Sequence, residues 1–172
     1  MKQNIYLVLL SIFTFLFVQL VFGQKMPKDF ELTFQFGFHA EDATLFDSRK
    51  SKLIVQGLDT VMNFKIKLTK QEKQTIYNEL QKINFIGYPE KYLYQNSDTI
   101  RMYVISPCQH YFLTVTLNNN LKTVEWDTCL QSIIKDEKHT ALMTLDRVIE
   151  KIIWARNPLK DYHPTRMLID PN

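Results

Sequence analysis

The chain has 172 residues, 45% of them hydrophobic, with 21 Lys and Arg against 18 Asp and Glu and a formal charge of +3. A balance so near neutral excludes the basic footprint that nucleic-acid binding requires, and the densest basic group, Arg49-Lys50-Ser51-Lys52, falls where a solvated turn is expected. Two cysteines and four glycines leave little material for metal knuckles or phosphate-cradling loops.

The amino terminus points to a compartment. Lys2, an apolar run from Ile5 to Phe22, and small Gly23 with Val21 two residues before it have the layout of a secretory signal peptide, cleaved between Gly23 and Gln24. The alternative is an uncleaved anchor, since a membrane span needs about 20 apolar residues. Removing 23 of 172 residues leaves 149, a usual size for one domain with one core. The removed segment carries one Lys and no acid, so the charge falls from +3 to +2. The expected organisation is residues 1–23 as signal peptide, 24–157 as a single α+β domain, and 158–172 as an extended tail with Pro158, Pro164 and Pro171.

Phe30, Leu32, Phe34, Phe36 and Phe38 alternate with Glu31, Thr33, Gln35 and Gly37, which is the pattern of a half-buried strand. Ala43 to Asp47 and Lys52 to Gln56 flank Ser48-Arg49-Lys50-Ser51 as a hairpin. From Val61 to Leu68, Met62, Phe64, Ile66 and Leu68 face one way and Asn63, Lys65 and Lys67 the other. A helix follows from Thr69 to Phe85. Thr69 and Glu72 have capping-box spacing, and Ile76, Leu80 and Ile83 form its apolar stripe.

Gly87 and Pro89 then interrupt regular structure, and Thr99 to Ser106 resumes an extended pattern that Pro107 ends. A second hairpin is expected around a two-residue turn at Asn119-Asn120, where Asn tolerates positive φ. That register places Val115 opposite Val124 and Leu113 opposite Trp126, with Thr116 facing Thr123 on the other side. The last helix runs from about Lys138 to Arg156, with Leu142, Leu145, Ile149 and Ile152 as its stripe and Asn157-Pro158 ending it. The expected fold is α+β: a mainly antiparallel sheet of about six or seven strands, with both helices packed on one face and the polar face in water.

Cys108 and Cys129 are an even pair in an exported chain, and so first of all a disulfide. The expected register puts Cys129 opposite His110, with Cys108 its diagonal neighbour and a bend at Pro107 bringing the sulfurs together. Cys108, His110 and Cys129 could otherwise supply three zinc ligands, but the Cys-x-x-Cys spacing is missing. Cys108 as a nucleophile with His110 or His139 as base lacks any residue that orients the base. Serine-nucleophile, phosphate-loop and metalloprotease motifs are absent from the sequence, and neither cofactor nor metal is expected. Acidic neighbours Glu41-Asp42 and Asp136-Glu137 fall in polar connections, where solvation is the plain reading. Tyr88, Tyr92 and Tyr94 form the candidate binding surface, since flat amphipathic rings stack on sugars or anchor protein partners. The ordinary alternative is that one or two of them pack beneath the connection.

The hairpin from Ala43 to Gln56, the Leu68-Thr69-Lys70-Gln71-Glu72 helix start, the Asn84-Phe85 helix end and a final helix from Leu142 to Trp154 give a chain that resembles the uncharacterised exported α+β domains found widely in bacteria. The resemblance spans most of the mature chain and implies no catalytic residues, because such families have none established. The leading expectation is a periplasmic or secreted non-enzymatic domain that presents a surface to an envelope or extracellular protein or glycan. Nucleic acid is not an expected partner, and a membrane is one only if the amino-terminal segment is kept. The alternatives are a small envelope hydrolase, its site assembled from distant residues such as His39, His110 and Asp127, or an inhibitor-like module.

Overall fold

The computed structural model describes residues 25–38, 43–56, 61–93, 102–104, 106–132 and 136–156. The alternation of phenylalanines becomes β1 (Glu31–Gly37), with Leu32, Phe34 and Phe36 buried and Glu31, Thr33 and Gln35 on the opposite side. After it come β2 (Thr44–Asp47), β3 (Lys52–Gln56), β4 (Val61–Lys65) and helix α1 (Lys70–Lys82). The second half supplies β5 (Met102–Val104), β6 (His110–Leu117), β7 (Asn120–Asp127), β8 (Leu130–Ser132) and helix α2 (Glu137–Trp154). Six strands form one sheet in the order β4-β3-β2-β1-β6-β7, every neighbour antiparallel. β1 is thus internal, joining a meander on one side to the second hairpin on the other.

Both helices cover one face of this sheet, as the patterning predicts. Ile76, Tyr77 and Leu80 of α1 and Leu142, Leu145, Ile149 and Ile153 of α2 share a single core with Phe34, Phe46, Leu53, Leu113, Val124 and Trp126. The α1 capping box forms as expected: Thr69 Oγ1 accepts from Glu72 N at 3.2 Å, and Glu72 Oε2 accepts from Thr69 N at 2.7 Å. Arg156, just past α2, pairs with the same Glu72 and joins the end of one helix to the start of the other. α1 stops three residues earlier than its pattern allows. Asn84 takes a left-handed φ of 52°, and Phe85–Gly87 continues as a short 3-10 turn with Phe85 buried. The α2 stripe ends on Ile153, with Ile152 only partly buried, because 3.6 residues per turn favour the i+4 step from Ile149.

The second hairpin departs from the expected register. Asn118 and Asn119, at φ 50° and 61°, occupy the turn, one residue earlier than Asn119-Asn120. Every cross-strand partner therefore moves by two: Val115 lies opposite Lys122, Leu113 opposite Val124, and Tyr111 opposite Trp126. A shift of two returns each side chain to its own face, so apolar alternation cannot separate the two registers. Local bonding does separate them. The Asp29 carboxylate accepts from Asn118 N at 3.0 Å and from Asn119 N at 2.6 Å, clamping the turn from the segment that precedes β1.

These bonds, the one from Asn119 foremost, hold the Asp29 carboxyl below its ordinary range. A depressed carboxyl contributes stability above its unfolded pKa and loses it as pH falls through the folded value. Asp29→Asn is accordingly expected to lower the melting temperature at neutral pH and to flatten its decline below about pH 4, measured by circular dichroism. A variant with the wild-type acid slope would show that the turn does not depend on this carboxylate.

The first strand of the second half does not join the six-stranded sheet. Met102–Val104 pairs antiparallel with Leu130–Ser132 in a separate two-stranded ribbon, and β8 has no counterpart among the expected strands. Among the described residues, no helix is long and apolar enough to cross a membrane. The segments expected as a signal peptide, 1–23, and as an extended tail, 158–172, lie outside the described residues.

Candidate functional site

The helix-free face of the sheet is built from the strand positions that alternate with the core. Asn63, Ile54, Leu45, Gln35, Phe112 and Glu125 are successive partners across all six strands. Lys65, Lys52, Asp47, Thr33, Thr114 and Thr123 form the next row. Most positions on this face are polar, as the patterning predicts, but not all of them. Ile54 and Leu45 are adjacent apolar positions on it, and Phe112 lies one strand further on, across Gln35; Phe112 is 37% exposed, and Leu121 near the β6/β7 turn is 71% exposed. The positions were visible in the sequence, but only the strand order places them in line.

One end of this face holds a groove of about 200 Å³ between the β2/β3 turn and the β6/β7 hairpin, lined by Arg49, Lys50, Thr33, Thr114, Thr116 and Leu121 among others. Arg49 Nη2 donates to Thr116 Oγ1 at 3.4 Å, and Thr114 Oγ1 shares a hydrogen bond of 2.9 Å with Thr123 Oγ1. The acids at the groove are engaged. Asp47 accepts from Lys50 N at 3.0 Å and pairs with Lys50 Nζ at 3.5 Å. Glu31 takes Lys73 Nζ at 2.6 Å and Ser48 Oγ at 2.5 Å, which ties α1 to β1. Hydroxyls, one guanidinium and one ammonium beside apolar surface are equipment for binding. Among the described residues that line the groove there is no histidine or thiol.

The other end of β6 carries the cysteines. Cys108 and Cys129 are bonded, with Cα atoms 4.7 Å apart. In the observed register they continue the pairing directly opposite one another, beyond Gln109, whose carbonyl accepts from Thr128 N at 2.9 Å, and the chain bends at Ser106 and Pro107 just before them. Asp127, not Cys129, is the partner of His110. His110 Nε2 lies 3.8 Å and 3.9 Å from the two sulfurs. A bonded Cys108 is no thiol nucleophile, and His139 stands elsewhere, buried at the start of α2 with Nε2 2.8 Å from the Asp127 carbonyl.

The tyrosines follow the packing alternative where they are described. Tyr88 is 6% and Tyr92 3% exposed, with ring centroids 5.3 Å apart in the core, and Tyr94 lies outside the described residues. Tyr88 Oη donates to the Lys138 carbonyl at 3.1 Å, and Tyr92 Oη donates to the Asp136 carboxylate at 2.8 Å. Burial, aided by the Asp136 charge, pushes the Tyr88 phenol above its ordinary pKa. Asp136 also caps α2 by accepting from His139 N at 3.1 Å, so it is a helix-start acid where a solvated connection was expected. Tyr92 N and Glu125 N bond to the carbonyls of Glu125 and Glu90, laying this segment along the outer edge of β7.

Of the hydrolase candidates, His110 and Asp127 are cross-strand neighbours beside the disulfide, neither lines the groove, and His39 lies outside the described residues. Sequence reasoning passed over Asp146 and Glu150, 3% and 5% exposed one turn apart on α2. Their i, i+4 spacing beside Leu145 and Ile149 was the available signal. The chain matches no family model, and none of the curated proteins compared with it is similar in sequence.

Proposed function

We propose that this is an exported, non-enzymatic α+β domain that uses the helix-free face of its sheet to bind another protein of the cell envelope or its surroundings. The observation that carries this reading is the set of apolar side chains Ile54, Leu45 and Phe112, with Gln35 between the last two, beside a groove rimmed by Arg49 and Lys50 and by threonine hydroxyls. An apolar centre with a polar and charged rim is the anatomy of a protein contact. The disulfide supports export, because such bonds persist in oxidising compartments. Export to the periplasm or beyond also fits the signal-like first 23 residues.

Capture from envelope extracts with cross-linking and mass spectrometry tests the reading. Phe112→Glu and Leu121→Glu on this face are expected to lose a species that wild type retains. Ile86→Glu, exposed in the 3-10 turn away from the sheet, is expected to keep it. Equal capture by all four proteins, or loss only in variants whose circular dichroism has changed, removes the face as the contact. Capture that survives prior digestion of the extract with protease would point to a glycan and overturn the protein partner.

A further inference from the structure

We infer that the Cys108/Cys129 disulfide masks a redox-gated metal site, formed with His110, that takes a thiophilic divalent cation such as zinc when the bond is reduced. The ligand atoms of Cys108, His110 and Cys129 all lie within 4.8 Å of one another. Tetrahedral zinc at about 2.3 Å from sulfur and about 2.0 Å from nitrogen keeps its ligand atoms about 3.5–3.8 Å apart. His110 Nε2 already stands 3.8 Å and 3.9 Å from the two sulfurs. Once the bond is reduced, rotation about the two cysteine side chains lets the sulfurs move apart to bracket the ion.

The backbone that carries the two cysteines is held independently of the covalent bond. Thr128 N donates to Gln109 O at 2.9 Å, Gln109 N donates to Thr128 Oγ1 at 2.8 Å, and Cys129 N donates to Asp127 Oδ1 at 2.9 Å. Reduction therefore leaves the two thiols facing each other beside the imidazole. Three protein ligands and one water complete a four-coordinate site, which is the open arrangement of zinc centres. In the oxidised chain the sulfurs are bonded to one another and no thiolate is available to the metal.

The opening step is thiol–disulfide exchange with a dithiol reductant. A reductant thiolate attacks one sulfur and breaks the S–S bond, and its second thiol resolves the mixed disulfide. Two electrons and two protons end on Cys108 and Cys129, and the reductant leaves as a disulfide. The cation then displaces both thiol protons and binds two thiolates and neutral His110. This site lies at the opposite end of β6 from the groove and does not rest on the proposed protein contact.

Titration of the purified protein with Co²⁺, then displacement by Zn²⁺, tests the inference, with a phosphine as reductant because it competes weakly for the metal. The reduced protein is expected to bind one ion per chain, with thiolate-to-cobalt charge-transfer absorption. The oxidised protein is expected to show none. His110→Ala should weaken binding of the reduced chain at least tenfold while its circular dichroism stays unchanged. Absence of the charge-transfer band, an unaltered affinity in His110→Ala, or a reduced chain that unfolds and is not refolded by metal would each overturn the site.

Discussion

Replacing Phe34 with alanine is expected to destabilise the protein by about 3–5 kcal/mol in chemical denaturation, the usual loss for emptying a fully buried aromatic site. Phe34 is wholly buried on internal strand β1, and its ring stacks at 5.1 Å on Phe36, 6.3 Å on Tyr111 and 6.4 Å on Trp126. Deleting it removes area burial and the offset contacts together, and these neighbours are too tightly interleaved to close the void. Domains of this size are stable by only about 5–15 kcal/mol, so the variant stands near the limit of folding. Phe112→Ala supplies the internal control. It is on the neighbouring strand β6 but on the helix-free face, and a loss under about 1 kcal/mol is expected there. Similar losses at the two positions would mean that the layers have been assigned to the wrong faces.

Removing the disulfide by the double change Cys108→Ala, Cys129→Ala is expected to lower stability by about 3 kcal/mol, read as a lower denaturation midpoint. The sequence separation of 21 residues sets this magnitude, since the bond withholds the corresponding loop entropy from the unfolded chain. The effect is smaller than at Phe34, because the backbone pairing at Gln109 and Thr128 persists without the sulfurs. A folded but less stable variant is the expected result. A change below about 1 kcal/mol would show that strand pairing alone closes this loop in the unfolded ensemble as well.

Much of the architecture was legible because two periods dominate the chain. Phe30 to Phe38 alternate strictly, and Ile76, Leu80, Leu142, Leu145 and Ile149 keep helical spacing; each of these set its own element and chose its buried face. The capping box at Thr69 and Glu72 was equally visible, because it is made by residues three apart. The hairpin register was not. Asn118, Asn119 and Asn120 are alike in tolerating a left-handed backbone, and the residue that chooses among them, Asp29, is 89 residues away from Asn118. β5 falls within the expected extended stretch from Thr99 to Ser106, but its partner β8 eluded the patterning for a related reason. The three residues of β8 are too few to display a period.

The candidate surfaces were less legible than the fold. Tyr88 and Tyr92 sit in a stretch without periodicity, so nothing local distinguishes a ring presented to solvent from one folded inward over Phe85 and Asp136. Ile54, Leu45 and Phe112 come from three strands separated by turns and a helix, and share one level of the sheet, with Gln35 between the last two, only when β1 is placed between β2 and β6.

What the amino-acid sequence determined by itself is whatever depends on spacing of two, three or four residues: which segments are most of the strands and helices, which of their faces are apolar, and that the two cysteines of a chain expected to be exported are a pair. Tertiary structure alone decided how those segments are ordered in the sheet, that Cys108 lies directly across from Cys129 with His110 beside both sulfurs, and which non-core residues share a surface. The physical reason is range. Local periodicity follows from backbone geometry within a few residues, whereas strand order and register come from contacts across many tens of residues, whose closure no short pattern encodes.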